Sequence, residues 1–136
     1  MNKSKKILIV IAIILLFGWM LKDSFTQPGI KDLKGNFTEL TFVRNEQNTG
    51  PVIRIYAVSL KDSLWQEMEQ YGNYMPHNKY GTTKVYFFIE GKPAPVSLSL
   101  DGDNIEESFK KYCIARYEKG AMGQNSLVKY PFDSSN

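Results

Sequence analysis

The chain has 136 residues, 43% hydrophobic and 23% charged, proportions that suit one globular core with a short appendage. Its net charge of +3 is concentrated at the N-terminus: Lys3, Lys5, Lys6 and Lys22 are four of the 17 basic residues, and the remainder carries 13 basic against 14 acidic side chains, or −1. Without clustered Lys and Arg to neutralise phosphates, nucleic acid is not an expected partner. Cys113 is the only cysteine, which excludes an intramolecular disulfide and a Cys-based zinc site.

Ile7 to Leu21 is an uncharged run of 15 residues between Lys5-Lys6 and Lys22. At about 1.5 Å per residue it spans roughly 22 Å, short of a hydrocarbon core about 30 Å thick. Flanking lysines extend it, because their aliphatic stems lie in the apolar layer while the ammonium groups reach the headgroups, and Trp19 suits the outer interface. Ile7, Leu15, Trp19 and Leu21 are the expected membrane contacts. A cleaved secretory signal is the main competitor, a buried core helix a lesser one. A signal would end in small residues, whereas this run ends in Trp19-Met20-Leu21-Lys22-Asp23. The expectation is an uncleaved single-pass anchor, with the lysine-rich N-terminus cytoplasmic and the rest periplasmic or extracellular.

Residues 1–22 are thus read as a cytoplasmic stub and transmembrane signal-anchor helix, 23–36 as a linker and 37–136 as an exported domain. Thr38 to Arg44 and Val52 to Leu60 alternate as strands, joined by the turn cluster Asn45 to Pro51. A helix capped by Ser59 or Asp62 runs to about Tyr71, with Leu64, Trp65, Met68 and Tyr71 at helical spacing and Gly72 as its stop. Thr83 to Glu90, dense in β-branched and aromatic residues, reads as a central strand covered on both faces. Val96 to Leu100 alternates as a half-buried partner beyond the break at Gly91 to Pro95. A second helix opens at Asp103 or Asn104, with Ile105, Phe109, Tyr112, Cys113 and the stem of Arg116 on its inner stripe and Gly120 at its end. Ser126 to Phe132 adds a possible edge strand. The order β-β-α-β-β-α predicts an α+β fold, a small antiparallel sheet with helices on one face.

Asp101-Gly102-Asp103-Asn104 with Glu106 and Glu107 has the look of a calcium loop, but Ile105 stands where the motif needs an oxygen ligand, so a helix cap is the expected role. His77, the only histidine, would have to serve as base for any Ser or Cys nucleophile. No Gly-x-Ser-x-Gly elbow accompanies it and Cys113 is expected inside, so no catalytic residue is assigned. Carboxylates alone would need two on one cleft, which sequence does not reveal. No glycine-rich phosphate loop is present and no cofactor or metal is implied. Asn36-Phe37-Thr38 fits the N-glycosylation pattern, which matters only in a eukaryotic exported chain.

The segment from Tyr71 to Gly81 combines three tyrosines with asparagines and glycines, the composition of recognition loops. Tyr71, Tyr74, His77 and Tyr80 are therefore the candidate ligand- or partner-binding residues. The chain reads as a membrane-anchored, non-catalytic envelope protein whose exported domain binds a protein partner or small ligand. A small tethered hydrolase and a structural subunit of an envelope assembly are the alternatives.

Overall fold

A computed structural model describes residues 1–26, 30–45 and 50–133. An apolar helix α1 (Lys3–Thr26) precedes a five-stranded sheet: β1 (Thr38–Arg44), β2 (Ile53–Leu60), β3 (Thr82–Ile89), β4 (Cys113–Lys119) and β5 (Asn125–Lys129). Helix α2 (Trp65–Tyr74) lies between β2 and β3, and a four-residue helix α3 (Glu107–Lys110) precedes β4. The fold is α+β. Strand order follows chain order, and every neighbouring pair is antiparallel except β2 and β3.

That parallel pair makes the sheet mixed rather than wholly antiparallel as expected. The physical reason is the connection: a helix of 10 residues crosses between the strands, which a parallel pair requires and a tight hairpin cannot provide. In register, Ile53 pairs with Thr82 and Leu60 with Ile89.

β3 is the centre of the domain. Val85, Tyr86, Phe87 and Phe88 are all buried, as the expectation of two covered faces requires. On one face Val85 and Phe87 join Tyr56, Val58, Leu60, Ala115 and Tyr117 under Met68 and Tyr71 of α2. On the other, Tyr86 and Phe88 join Ile55, Ala57 and Cys113 under Ile105, with Leu98, Phe109 and Tyr112 packed around them. The helices and loops thus cover both faces of the sheet rather than one.

Two segments differ from expectation. Val96 to Leu100 forms no strand, and Val96 is exposed. Both edges of β3 are already taken by β2 and β4, and the segment instead enters a turn. There Ser99 N–H donates to the Asn104 carbonyl at 2.8 Å and Asn104 Nδ2 donates to the Ser99 carbonyl at 2.8 Å. The helix expected from Asp103 to Gly120 is confined to Glu107–Lys110, and Cys113–Lys119 is strand. Ile105, Phe109, Tyr112 and Cys113 still face the core, but from a loop, a short helix and a strand in turn. Ile114 is an extra residue between the pairs Phe88–Cys113 and Phe87–Ala115, a bulge that sends Cys113 and Ala115 to opposite cores.

Residues 30–37, ahead of the sheet, pack on the domain. Ile30 and Leu33 lie against the α2-side core. Lys34 N–H donates to Glu67 Oε1 at 2.6 Å, and Lys61 N–H donates to the Gly35 carbonyl at 2.8 Å. Of the turn cluster expected between β1 and β2, residues 46–49 lie outside those described. Asn45 closes its base, donating from Nδ2 to the Pro51 carbonyl and accepting from Ile53 N–H.

Gly72 does not stop α2, which runs on to Tyr74. Its lack of a side chain serves packing: a Cβ there would lie 2.3–2.5 Å from three carbons of the Tyr117 ring. The same ring hydroxyl donates to Asn73 Oδ1 at 2.7 Å, so the ring is held from its far end and cannot swing away freely. Gly72→Ala should therefore lower the unfolding free energy of the domain by about 1–3 kcal/mol, the cost of overpacking a filled site. A urea titration checks this, and an unchanged midpoint would mean that α2 is free to lift off β4.

Candidate functional site

β2, β3 and β5 begin, and β1 and β4 finish, at the sheet end opposite the one where the chain enters from α1. β3 spans eight residues, so the two ends are roughly 25 Å apart at about 3.3 Å per residue. The loop leading from α2 into β3 lies at this far end.

The loop is pinned at several points. Gly81 N–H donates to the Asn78 carbonyl at 2.8 Å, and Thr82 N–H to the Val52 carbonyl at 2.9 Å. Val52's carbonyl oxygen lies 2.4 Å from where a Cβ on Gly81 would be, so only glycine permits this approach of two backbones. Arg54 donates from Nε and Nη2 to Asn78 Oδ1 at 3.2 and 3.1 Å. His77 Nδ1 is 3.0 Å from Thr83 Oγ1, which in turn donates to the Pro76 carbonyl at 3.1 Å. Fixed between these bonds, Tyr80 adopts a left-handed backbone with φ of 65°, a conformation that costs free energy in a bulky residue. It leaves the ring 60% exposed.

Residues His77, Lys79 and Tyr80 face Lys119, Ala121, Met122 and Gly123 of the β4–β5 turn across a shallow concavity of about 340 Å³. Met122 is 85% exposed, and Lys79 Nζ sits 5.2 Å from the centroid of the Tyr80 ring. The surface offers a polarisable thioether and an aromatic ring between two cations. Such adaptable apolar groups suit contact with another molecule.

His77 and Tyr80 are thus brought together. Tyr74, half-exposed at the end of α2, does not line the concavity, and Tyr71 is core: 3% exposed, stacked on Phe37 at 4.8 Å and edge-on to Phe87 at 5.9 Å. Burial pushes the Tyr71 hydroxyl up to about 12. Lys119 and Met122 come from a turn some forty residues later in the chain and carry no local motif, although an exposed methionine between Gly120 and Gly123 is an unusual hairpin tip.

His77 and Cys113, the pair a thiol nucleophile would need, lie apart. The Cys113 thiol is buried, donates to the Ala115 carbonyl at 3.3 Å and is pushed up to about 12 by burial. It sits at the opposite end of β4 from Gly120, whose backbone bonds His77, roughly 20 Å away at strand rise. Asp101, Asp103 and Glu106 line a second concavity of about 310 Å³ on the other face. There Lys110 pairs with Asp103 at 2.7 Å and Glu107 at 2.8 Å, and the hydrogen bond from Lys110 holds Asp103 below the usual carboxylate range. Among the described residues no three His, Cys, Asp or Glu side chains gather where they could hold a metal ion.

α1 is long and apolar enough to cross a membrane, over Lys3–Lys22, and none of it is buried within the chain. Ile7, Leu15, Trp19 and Leu21 are all exposed. A core helix would have a covered face, so that reading of the segment does not fit. No protein-family model, curated protein or solved structure matches the chain.

His77 is held below its ordinary value of 6.5, first by burial and then by the Lys119 charge, against a hydrogen bond that the ring donates to the Gly120 backbone carbonyl. The unfolded chain therefore binds the proton more readily, and stability should be complete above pH 6.5 and fall as pH drops from there towards the folded value. With one histidine, an NMR titration reads this directly. The imidazole midpoint should lie below 6.5, and His77→Gln should remove that part of the pH dependence; a midpoint at or above 6.5 would show the ring to be free of Thr83 and Lys119.

Proposed function

We propose that this chain is a single-pass, membrane-anchored binding protein with no catalytic role. In this reading α1 spans the bilayer with its lysine-rich N-terminus in the cytoplasm, and the α+β domain stands in the periplasm or outside the cell. The charge difference across the helix favours that orientation, since Lys3, Lys5, Lys6 and the α-amino group precede it while Lys22 is followed by Asp23. The domain captures a protein partner on the surface formed by His77, Tyr80 and Met122.

The observation that carries the reading is the exposed pair Tyr80 and Met122, gathered from two distant turns onto one concavity at the far end of the sheet. His77 supports binding rather than turnover because its neighbours are a hydroxyl, a backbone group and a lysine. The hydroxyl is that of Thr83, which is within reach of the imidazole but buried and already donates to the Pro76 carbonyl, so neither its proton nor its oxygen is presented to a substrate. A fitting partner presents an apolar side chain to lie on Tyr80 and Met122, with a carboxylate for Lys79 or Lys119.

A photo-activatable residue placed at position 122 of the full-length protein in its native membrane tests this. It should give a discrete protein adduct that disappears with Tyr80→Ala and weakens at raised salt. The same residue at position 96, equally exposed on the other face, is the control. Matching adducts from both positions, or an adduct indifferent to Tyr80→Ala, would sink the proposal.

A further inference from the structure

The opposite end of the sheet, where the anchor joins the domain, has a surface chemistry of its own. Leu64 is exposed just before α2, and Trp65 follows it at the start of the helix. Tyr130 is 47% exposed with a left-handed φ of 48° and meets Trp65 edge-on at 5.8 Å, while Lys129 Nζ lies 4.8 Å from the Trp65 ring centroid. Ser63, Leu64, Trp65 and Glu67 shape a shallow concavity of about 360 Å³ beside them. A leucine, a tryptophan, a tyrosine and a lysine in one patch is the set that settles at a membrane–water interface, where amphipathic rings and a snorkelling ammonium find apolar and wet surroundings together.

The tether holds this patch at the bilayer. α1 ends at Thr26, four residues past Lys22, or about 6 Å of helix. From Thr26 to Ile30 are four Cα steps, at most about 15 Å, and at Ile30 the chain is already packed on the core. Lys34 bonds to Glu67 and Lys61 to Gly35, which fixes the point of entry beside the first turn of α2. Together these two spans hold Ile30 within roughly 21 Å of Lys22, which keeps the entry end of the domain close to the surface.

Resting on the reading of α1 as a membrane span, we infer that the anchor-proximal end of the domain beds in the lipid headgroup layer through Leu64, Trp65 and Tyr130. The contact is apolar and interfacial rather than electrostatic. Residues 32–38, 60–67, 89–93, 111–113 and 129–133 carry five lysines against five carboxylates, so anionic lipid adds nothing that zwitterionic lipid lacks. Lys129 is engaged with the Trp65 face and lies alongside the rings at the headgroups.

The two tryptophans of the chain, Trp19 and Trp65, separate this inference from the reading beneath it. Full-length Trp65→Phe reports on the anchor alone, and full-length Trp19→Phe reports on the domain end alone. Both are reconstituted into phosphatidylcholine vesicles with and without brominated acyl chains, and again with added phosphatidylglycerol. Both tryptophans should lose emission to the brominated lipid, Trp65 to the same degree in either lipid mixture, and Leu64→Glu with Tyr130→Ser in the Trp19→Phe background should restore the Trp65 signal. Quenching of Trp19 with none of Trp65 would overturn the bedded end and leave the anchor standing. An unquenched Trp19 would remove both. Trp65 quenching that appears only with phosphatidylglycerol would replace the apolar contact by an electrostatic one and so defeat the inference.

Discussion

The arrangement depends on the burial of β3 on both faces. Val85 and Phe87 point one way, Tyr86 and Phe88 the other, and all four are shielded from water. Burying each such side chain relative to exposure is worth roughly 1.5–3 kcal/mol, which is gained only if both faces are covered. α2 covers one. The other is covered by a segment with little regular structure, held by a buried polar chain in which the Tyr86 hydroxyl donates to Asn104 Oδ1 at 2.8 Å and Asn104 donates to Ser99. Satisfying those groups lets irregular backbone lie over a sheet without orphaned donors. Burial pushes the Tyr86 hydroxyl up to about 12, and Phe132 stacks over the ring at 5.9 Å.

Local periodicity made the first half of the domain legible. β1, β2 and α2 each repeat their apolar residues at the spacing of the element they form, β3 is a continuous run of β-branched and aromatic residues, and each lies within a few residues of its expected place. The second half was legible only in its burial. Val96 to Leu100 alternates well enough for a strand, but a strand also needs a free edge, and edge availability is a property of the whole sheet. Ile105, Phe109, Tyr112 and Cys113 do fall at helical spacing. The rival two-residue period of Cys113, Ala115 and Tyr117 is hidden by the Ile114 bulge, which puts one extra residue in the ladder. Parallel pairing of β2 with β3 is likewise invisible in either strand, because it is a consequence of how α2 returns the chain.

The candidate surface was half legible for a similar reason. Tyr80 and His77 stand out by composition in a loop, which is a local property. Tyr71 reads in the sequence both as a member of the helical series Leu64, Met68 and Tyr71 and as a contact residue of the loop; the structure places it in the core, so its nearness to the loop is one of sequence only. Met122 and Lys119 reach the surface because Thr83 pairs with Lys119. Only the β3–β4 register places the turn after β4 against the loop before β3.

The direction of β3 also decides at which end of the domain each loop lies. Had β2 and β3 been antiparallel, β3 would begin where β2 ends, and the loop carrying His77 and Tyr80 would lie at the end where the chain enters from α1. The parallel pair, made possible by the helix crossing between them, sends the start of both strands to the far end. It leaves Leu64 and Trp65, the start of the returning helix, at the near one. A single crossover therefore sorts two chemically different sets of exposed and half-buried side chains to opposite ends of one small domain. One end is aromatic and close to the apolar helix in chain distance; the other is built from two turns and lies about 25 Å away. The separation needs no interdomain hinge or second domain, since it follows from strand direction alone.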